Sequence, residues 1–242
     1  ISTAATGEYL KTETNVSVGK PDPEQDAARR KRVEGTIADL NKEIAKAETP
    51  HMKEQYALEN RWVARRLARQ MGNYVVLPTE PIAETLVIYD PVAPVELRFL
   101  GTANTHGDLI AWLPRQRVVA VGDMVVLPTP YGFTISTKPW LETLAKVQKL
   151  PFETLIPGHG KVQRDRVYLA TLEWSMKDIT ARAKAAAANS ATKEQAVAAF
   201  DRREQERGFG AWAEWTRKWL NDYWLQGMFE TAFDEAKGIP AP

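Results

Sequence analysis

The chain has 242 residues, 44% of them hydrophobic and 26% charged, which is typical of a globular protein that buries most of its apolar surface. Its 32 basic and 31 acidic side chains nearly balance, and no apolar run could span a bilayer, so neither a nucleic-acid nor a membrane partner is expected. The absence of cysteine excludes disulfides and thiolate metal sites. Since no signal-peptide pattern follows Ile1, the compartment stays open between a bacterial periplasm and a cytoplasm.

The first third of the chain is predicted to be mainly helical. A short strand and a helical turn are expected within residues 1–10, followed by a polar loop. Residues 22–71 have helix-favouring sequence that Pro50 interrupts, which predicts two helices arranged as a hairpin. The basic run Arg29–Arg32 would suit a nucleic acid, but such a run is more often the solvated face of a helix.

The middle of the chain changes to short β-rich runs, most of them separated by proline or glycine. TLVIYD, VELRFLG, LIAWLP and RVVAVGD each predict a strand, and the close spacing of the last two predicts a hairpin. After a loop over residues 128–137, a helix is expected around Trp140, with Pro139 in its first turn. The run TLIPGHG then predicts a strand that leads into a tight turn.

The last third is predicted to return to helices. One helix is expected over residues 166–188, and Thr192 with Gln195 has the spacing of a capping box for the next. The last helix carries an aromatic stripe that could bind a base or a sugar, although such spacing is more often part of a core. Its members are Trp212, Trp215, Trp219, Tyr223 and Trp224. Strands in the middle and helices at both ends predict an α/β or α+β domain.

Polar side chains lie at the ends of three predicted strands. Asn104, His106 and Asp108 precede LIAWLP, Asp123 follows RVVAVG, and His159 lies between two glycines after TLIP. Taken singly, Asp123 could be a turn residue, and His159 could be an ordinary loop histidine. Loops at strand ends are where a rigid scaffold presents functional groups, so these residues are candidates for one site.

The order NTHGDLIAWLP, VVAVGD and LIPGHG resembles the C-terminal half of the metallo-β-lactamase superfamily of metal-dependent hydrolases, most clearly over residues 75–165. The resemblance implies a four-layer αββα sandwich, here N-terminally truncated. Residues 1–165 would then be the C-terminal portion of the metallo-β-lactamase-like domain, with a helical insertion at about 22–71. Residues 166–242 would be a helical extension packed on the same domain.

The resemblance also implies a metal site and a chemistry. Asp123 matches a carboxylate that bridges two zinc ions and so takes part in catalysis, and His159 matches a histidine on the second ion. One or two zinc ions are expected, with iron as an alternative. A metal-activated water would attack an ester, amide, lactone or thioester-like bond in a small-molecule substrate. Asp108 matches a position that is more often structural than ligating.

Two departures from the family pattern are visible. Its opening motif, H-x-H-x-D-H, is absent, so we expect this chain to be a fragment that is inactive without that upstream motif. The family's third histidine falls on Asn104, whose amide oxygen is a poor zinc ligand. His106, two residues further on, could replace it as a ligand, or it could instead face the substrate or support the ligands.

Three further alternatives stay open. A degenerate, non-catalytic member of the family, acting as a binding or scaffold protein, would account for Asn104. Tyr131 and Phe133 in the 128–137 loop could cover a hydrophobic substrate or could belong to an ordinary surface loop. A homodimer formed through the helical ends is compatible with either function, and exposure of the aromatic stripe would support it.

Overall fold

The computed structural model describes residues 2–12, 17–132, 136–189 and 192–239. The chain divides into two compact units, of which one is Thr6–Thr79 and the other is Ile1–Ala5 together with Glu80–Pro242. Across these described ranges, no helix combines the length and the apolarity that crossing a membrane requires.

The first unit is built mainly from helices. They are α2 (Pro23–Lys46), α3 (Pro50–Gln70) and α1 (Ala4–Thr12), of which the first two residues are assigned to the other unit. Asp22 and Thr49 cap α2 and α3 by accepting hydrogen bonds from backbone N–H groups in the first turn that follows each of them. Proline fits the position after each cap, because the N–H that it lacks would have no partner within the helix. Pro50 therefore begins α3 as well as separating it from α2.

The helices α2 and α3 pack together in opposite directions. Arg29 near the start of α2 donates a hydrogen bond of 3.0 Å to the backbone oxygen of Gln70 at the end of α3. Further along the pair, the side-chain nitrogen of Asn60 donates to the side-chain oxygen of Asn41 at 2.8 Å. The predicted helical hairpin, with its break at Pro50, is confirmed.

The second unit contains a mixed five-stranded sheet. Its strands, in spatial order, are β3 (Thr85–Ile88), β4 (Val95–Arg98), β5 (Ile110–Leu113), β6 (Val118–Val126) and β7 (Thr154–His159). The first four pair antiparallel, whereas β7 runs parallel to β6. A separate parallel pair joins β1 (Ser2–Thr3) to β2 (Pro81–Ile82). The predicted β5–β6 hairpin is confirmed, and Arg117 in its turn has a positive φ of 53°.

The helices expected around Trp140, over residues 166–188 and after Thr192 are present in the second unit, whereas the single last helix that was predicted is divided and a short helix over 203–208 was not predicted. In chain order, the observed helices are α4 (Thr137–Gln148), α5 (Val167–Ala188), α6 (Lys193–Ala199), α7 (Arg203–Gly208), α8 (Glu214–Leu220), a π-helical turn (Asn221–Leu225) and α9 (Gln226–Ala236). Thr192 and Gln195 form the predicted capping box in both directions. Pro139 lies in the first turn of α4, as expected.

The core of the second unit lies between the sheet and its helices. Val119 on β6 and Leu155 on β7 belong to the same buried cluster as residues from α4, α5 and α9. At its centre, the ring of Trp140 meets the ring of Trp224 edge to face, with 5.4 Å between the centroids. The predicted mixed α/β class is confirmed. A four-layer αββα arrangement was expected. The described residues contain one five-stranded sheet with helices packed on it, and a separate two-stranded pair, β1–β2.

The prediction that the aromatic stripe belongs to the core is wrong for four of its five members. Trp224 is fully buried, but at least half of the surface of each of the other four is exposed. The residues that bury this part of the chain are instead Leu220, Trp224 and Met228, which also recur at steps of four. Helical periodicity shows that each set shares a face, but it does not show which face meets the core.

Replacing Trp224 tests this division between the two faces. Trp224 is fully buried and donates a hydrogen bond of 2.9 Å to the hydroxyl of Ser175, so Trp224→Ala should lower the free energy of unfolding by about 3–5 kcal/mol. Urea titration followed by circular dichroism measures this loss. Trp62→Ala, at a side chain that is 59% exposed on α3, is the matched control and should cost about 1 kcal/mol or less. Equal losses in the two variants would contradict the assignment of the core face.

Candidate functional site

The parallel pairing of β6 with β7 brings Asp123 and His159 together. The register is regular from Val118 opposite Thr154 and then shifts twice, so that Val126 lies opposite His159. Over the irregular part, β6 contains more residues than β7, and Asp123 lies in this bulged segment. Bulges redirect side chains and are common next to functional sites. The result is a distance of 3.5 Å between the Nε2 atom of His159 and the Oδ1 atom of Asp123.

Glycine at position 158 allows this approach. A Cβ atom at Gly158 would lie 1.9 Å from the Oδ1 atom of Asp123 and 2.7 Å from the backbone carbon of Gly122. Gly160, on the other side of His159, has a φ of 92°, and its Cβ would lie 2.6 Å from that of Leu127. The two glycines around His159 therefore let the end of β7 lie directly against β6.

Tyr131 contacts the same carboxylate. Its hydroxyl donates a hydrogen bond of 2.6 Å to the Oδ2 atom of Asp123, and its ring lies edge-on to the ring of His159, with 6.2 Å between centroids. Burial of the phenol, followed by the hydrogen bond to Asp123 and the charge of Asp123, raises the pKa of Tyr131 to about 12. Tyr131 therefore stays protonated at neutral pH and remains a donor. Phe133, its predicted companion, lies outside the described residues.

A second carboxylate, Asp108, is held close by. It accepts hydrogen bonds from the backbone N–H of Thr105 at 2.6 Å and from the hydroxyl of Thr105 at 3.0 Å, and it also accepts one from the backbone of Asn104. Burial raises the pKa of Asp108 against these bonds, and repulsion from the charge of Asp123 adds to the rise. Asp108 thus closes the 104–108 turn, which agrees with the structural role expected for it.

The remaining two candidates, Asn104 and His106, differ in their surroundings. Asn104 is fully buried at the start of the turn, whereas His106 is exposed in the middle of it. Where the chain is described, no group of three or more His, Asp and Glu side chains could hold a metal ion. Asp123 and His159 are therefore brought together, and His106 does not complete a ligand set with them.

Tyr168 supports this end of β6, a role that no sequence pattern indicated. The hydroxyl of Tyr168, on α5, donates a hydrogen bond to the backbone oxygen of Val126. Its burial raises the pKa of the phenol, which keeps the group protonated as a donor. Leu127, which follows Val126, donates a hydrogen bond of 3.1 Å from its backbone N–H to the backbone oxygen of His159. Together these bonds hold the last residues of β6 and β7 in place.

The Asp123–His159 pair fits a zinc ion in the kind and spacing of its donor atoms. Two ligand atoms that each lie about 2.1 Å from a tetrahedral zinc ion are about 3.4 Å apart, close to the observed 3.5 Å. The number of ligands is too small, however, because a catalytic zinc ion takes three protein ligands. The described residues supply two.

Comparison with known proteins gives a family match and several structural likenesses. The sequence model described as the metallo-beta-lactamase superfamily matches residues 35–159, a range that includes Asp123 and His159. No curated protein sequence matches the chain. The fold is similar to that of a stereoselective inverting sec-alkylsulfatase, Pisa1, from Pseudomonas sp., with a TM-score of 0.51 and 15% identity over 68% of this chain. The chain spans only 27% of the length of that alkylsulfatase.

Two other solved structures show weaker likeness. A metallo-β-lactamase family protein from Thermus thermophilus has a TM-score of 0.47 and 11% identity, over 92% of this chain and 67% of its own. A metallo-β-lactamase from Pontibacter korlensis has a TM-score of 0.32 and 19% identity, over 45% of this chain and 52% of its own.

Substitution of Gly158 tests the geometry of the site. Gly158→Ala places a methyl group where Asp123 and the backbone of β6 already lie, so it should lower the free energy of unfolding by roughly 1–3 kcal/mol. Gly35→Ala is the matched control, because its Cβ position in α2 has no atom within 4 Å apart from its chain neighbours and the backbone of its own helix. That variant should gain up to about 1 kcal/mol from the higher helix propensity of alanine. Chemical denaturation of both variants measures the difference, and two changes of the same sign would argue against the close approach.

Proposed function

The chain belongs to the metallo-β-lactamase superfamily, and from this premise we propose that it is part of a metal-dependent hydrolase in which Asp123 and His159 are metal ligands. The superfamily generally carries hydrolases. The observation that carries the proposal is the convergence of Asp123 Oδ1 and His159 Nε2 to 3.5 Å at the ends of two paired strands. A carboxylate and an imidazole are both ligand types that zinc accepts, with iron as an alternative.

The missing ligands would come from residues outside those described. Within the described ranges no third ligand joins the pair, and the chain matches only 27% of the length of the alkylsulfatase that shares its fold. The family's opening motif, H-x-H-x-D-H, would supply the remaining imidazole and carboxylate groups. His106, which is exposed and joins no ligand group with Asp123 and His159 in the described part of the chain, would then meet a substrate instead of the metal.

Each residue of this chain would have a separate role at the site. Asp123 and His159 hold the ion, and Tyr131 orients Asp123 by donating to its Oδ2 atom, which leaves Oδ1 directed toward His159. Asp108 fixes the turn that borders the site. When bound, the metal would supply an activated water and would polarise the bond to be cleaved. The substrate class that follows is a small molecule with an ester, amide, lactone or thioester-like bond.

The second candidate function is a binding or scaffold protein without catalysis. What favours it is Asn104, which the sequence resemblance matches to the family's third histidine and which is fully buried. Such a protein would bind no stoichiometric metal, and a chelator would leave its melting temperature unchanged.

The histidines of the chain provide a direct test of the hydrolase. In the complete protein, His159→Ala should reduce zinc below one equivalent per chain and should abolish hydrolysis of a chromogenic ester such as p-nitrophenyl acetate. His51→Ala is the matched control, because His51 is exposed on α3 and its loss should change neither result. Zinc is measured by mass spectrometry after gel filtration. Equal zinc contents in the two variants would refute ligation by His159, and a wild-type protein without zinc would favour the non-catalytic candidate.

Tyr131→Phe tests the orienting role separately from ligation. Removing one hydroxyl leaves both proposed ligands in place but frees the Oδ2 atom of Asp123, and loss of such a supporting hydrogen bond typically costs about 10–100-fold in metal affinity or activity. Competition with a fluorescent zinc chelator measures the affinity. Tyr89→Phe, at a side chain that is 84% exposed, should leave it unchanged. Unchanged affinity and activity in Tyr131→Phe would mean that the hydrogen bond does not act on the site.

A further inference from the structure

Four exposed aromatic side chains lie on α8, on the segment just before it and in the π-helical turn after it. We call the side chains of Trp212, Trp215, Trp219 and Tyr223 the aromatic surface. Their exposed fractions are 68%, 60%, 51% and 50%. A chain that buries Trp224 completely leaves these four neighbouring rings in water, which is unfavourable unless something covers them.

The aromatic surface is held in a fixed position. Trp215, Trp219 and Tyr223 follow one another at steps of four and therefore share a face. The rings of Trp219 and Tyr223 are 4.6 Å apart between centroids and tilted by 36°. On the opposite face, Leu220 and Trp224 are fully buried and attach this segment to the core. Trp215, Trp219 and Tyr223 are thus presented by a helical segment that is anchored to the core, which lowers the entropy cost of covering them, and Trp212 lies just before that segment.

The size of the aromatic surface suits a protein partner. Aromatic side chains bury about 150–250 Å² each, so four that are half to two-thirds exposed present roughly 450 Å². A stable interface buries about 800 Å² on each partner. The four rings would supply more than half of that area, and the charged residues that border them would supply a rim. Tryptophan and tyrosine at the centre of a polar rim are the usual composition of an interface hot spot.

The charges along one edge of the surface indicate which partner fits. Glu214, Lys218 and Asp222 recur at steps of four in the order acid, base, acid, and Lys218 pairs with Asp222 in the same chain. An antiparallel second copy, related by a two-fold axis near Thr216, would place Lys218 opposite Glu214 of the second copy, and Glu214 opposite its Lys218. The same axis would place Trp219 next to the start of α8 of the second copy, beside its Trp215.

We propose that the aromatic surface is the interface through which two copies of this chain associate, with the two α8 helices antiparallel. Two-fold pairing uses the same patch on both copies, so it covers both aromatic surfaces at once and leaves no open edge. The charge order is self-complementary only in this orientation. The proposal depends on α8 and not on the metal site, so its test is independent of the test of the proposed hydrolase function.

Sedimentation equilibrium of the complete protein between about 1 and 100 µM tests the association. The wild type should be a dimer, and the double variant Trp215→Ala with Trp219→Ala should weaken dimerisation at least tenfold. Trp62→Ala is the matched control, because Trp62 is 59% exposed but lies on α3 in the other unit, and it should leave the dimer unchanged. A wild type that is monomeric throughout, or a dimer that survives the double substitution, would overturn the proposal.

Charge reversal tests the antiparallel orientation. Glu214→Lys alone and Lys218→Glu alone should each weaken the dimer by placing like charges opposite one another. Combining the two reversals should restore association, which a merely structural effect on α8 would not do. Single variants that lose the dimer without rescue in the combination would overturn the antiparallel arrangement.

One further measurement distinguishes a second copy from a lipid or a glycan as the ligand of the aromatic surface. Tryptophan emission of the wild type is recorded with phosphatidylcholine vesicles and with cellohexaose. If the protein is monomeric and its emission shifts to the blue with either probe, the aromatic surface takes a lipid or a glycan, and the proposal of a second copy fails. No shift, together with a dimer in sedimentation, supports the proposal.

Discussion

The parallel pairing of β6 with β7 is the constraint on which the candidate site depends. Parallel neighbours cannot be joined by a tight turn, so the chain between them must cross over, and here it does so through α4. The same crossover carries Tyr131 back to the strand ends, where it reaches Asp123. The positions of Asp123 and His159 are therefore set by backbone hydrogen bonds and by the absence of a side chain at Gly158.

The electrostatics of the site follow from crowding acidic groups at this strand end. Asp123 raises the pKa of both Asp108 and Tyr131, although burial is the larger cause in each. The protein offsets part of the repulsion with donors, namely the hydroxyl of Tyr131 for Asp123 and the N–H and hydroxyl of Thr105 for Asp108. These donors are neutral, so the repulsion between Asp108 and Asp123 is only partly offset. A bound cation would lower this repulsion, and in this respect the local charge agrees with the donor types of Asp123 and His159.

Most elements of the fold could be predicted from local patterns, because helix caps, proline breaks and short apolar runs separated by proline or glycine each depend only on residues close together in the sequence. The association of Asp123 with His159 came from the family resemblance, because the two residues are far apart along the chain and no local rule joins them. The hydrogen bond from Tyr131 to Asp123 was out of reach, as it depends on the path of a glycine- and proline-rich loop. Four of the five residues of the aromatic stripe were wrongly assigned to the core, because residues on different faces of a helix recur with the same spacing and only packing decides between them.

The π-helical turn at Asn221–Leu225 marks a place where the chain accommodates one residue more than a regular helix would hold. If the same number of residues formed a regular α-helix, the residues before the turn would be rotated by about 100° around the helix axis relative to α9. Leu220 would then leave the core. Deleting one residue within the turn would convert it to an α-helical turn and keep the faces of α8 and α9 aligned. The same deletion inside α5 would turn half of its apolar side chains toward water. Length can therefore vary by one residue at this point, while the helices of the second unit are fixed in register.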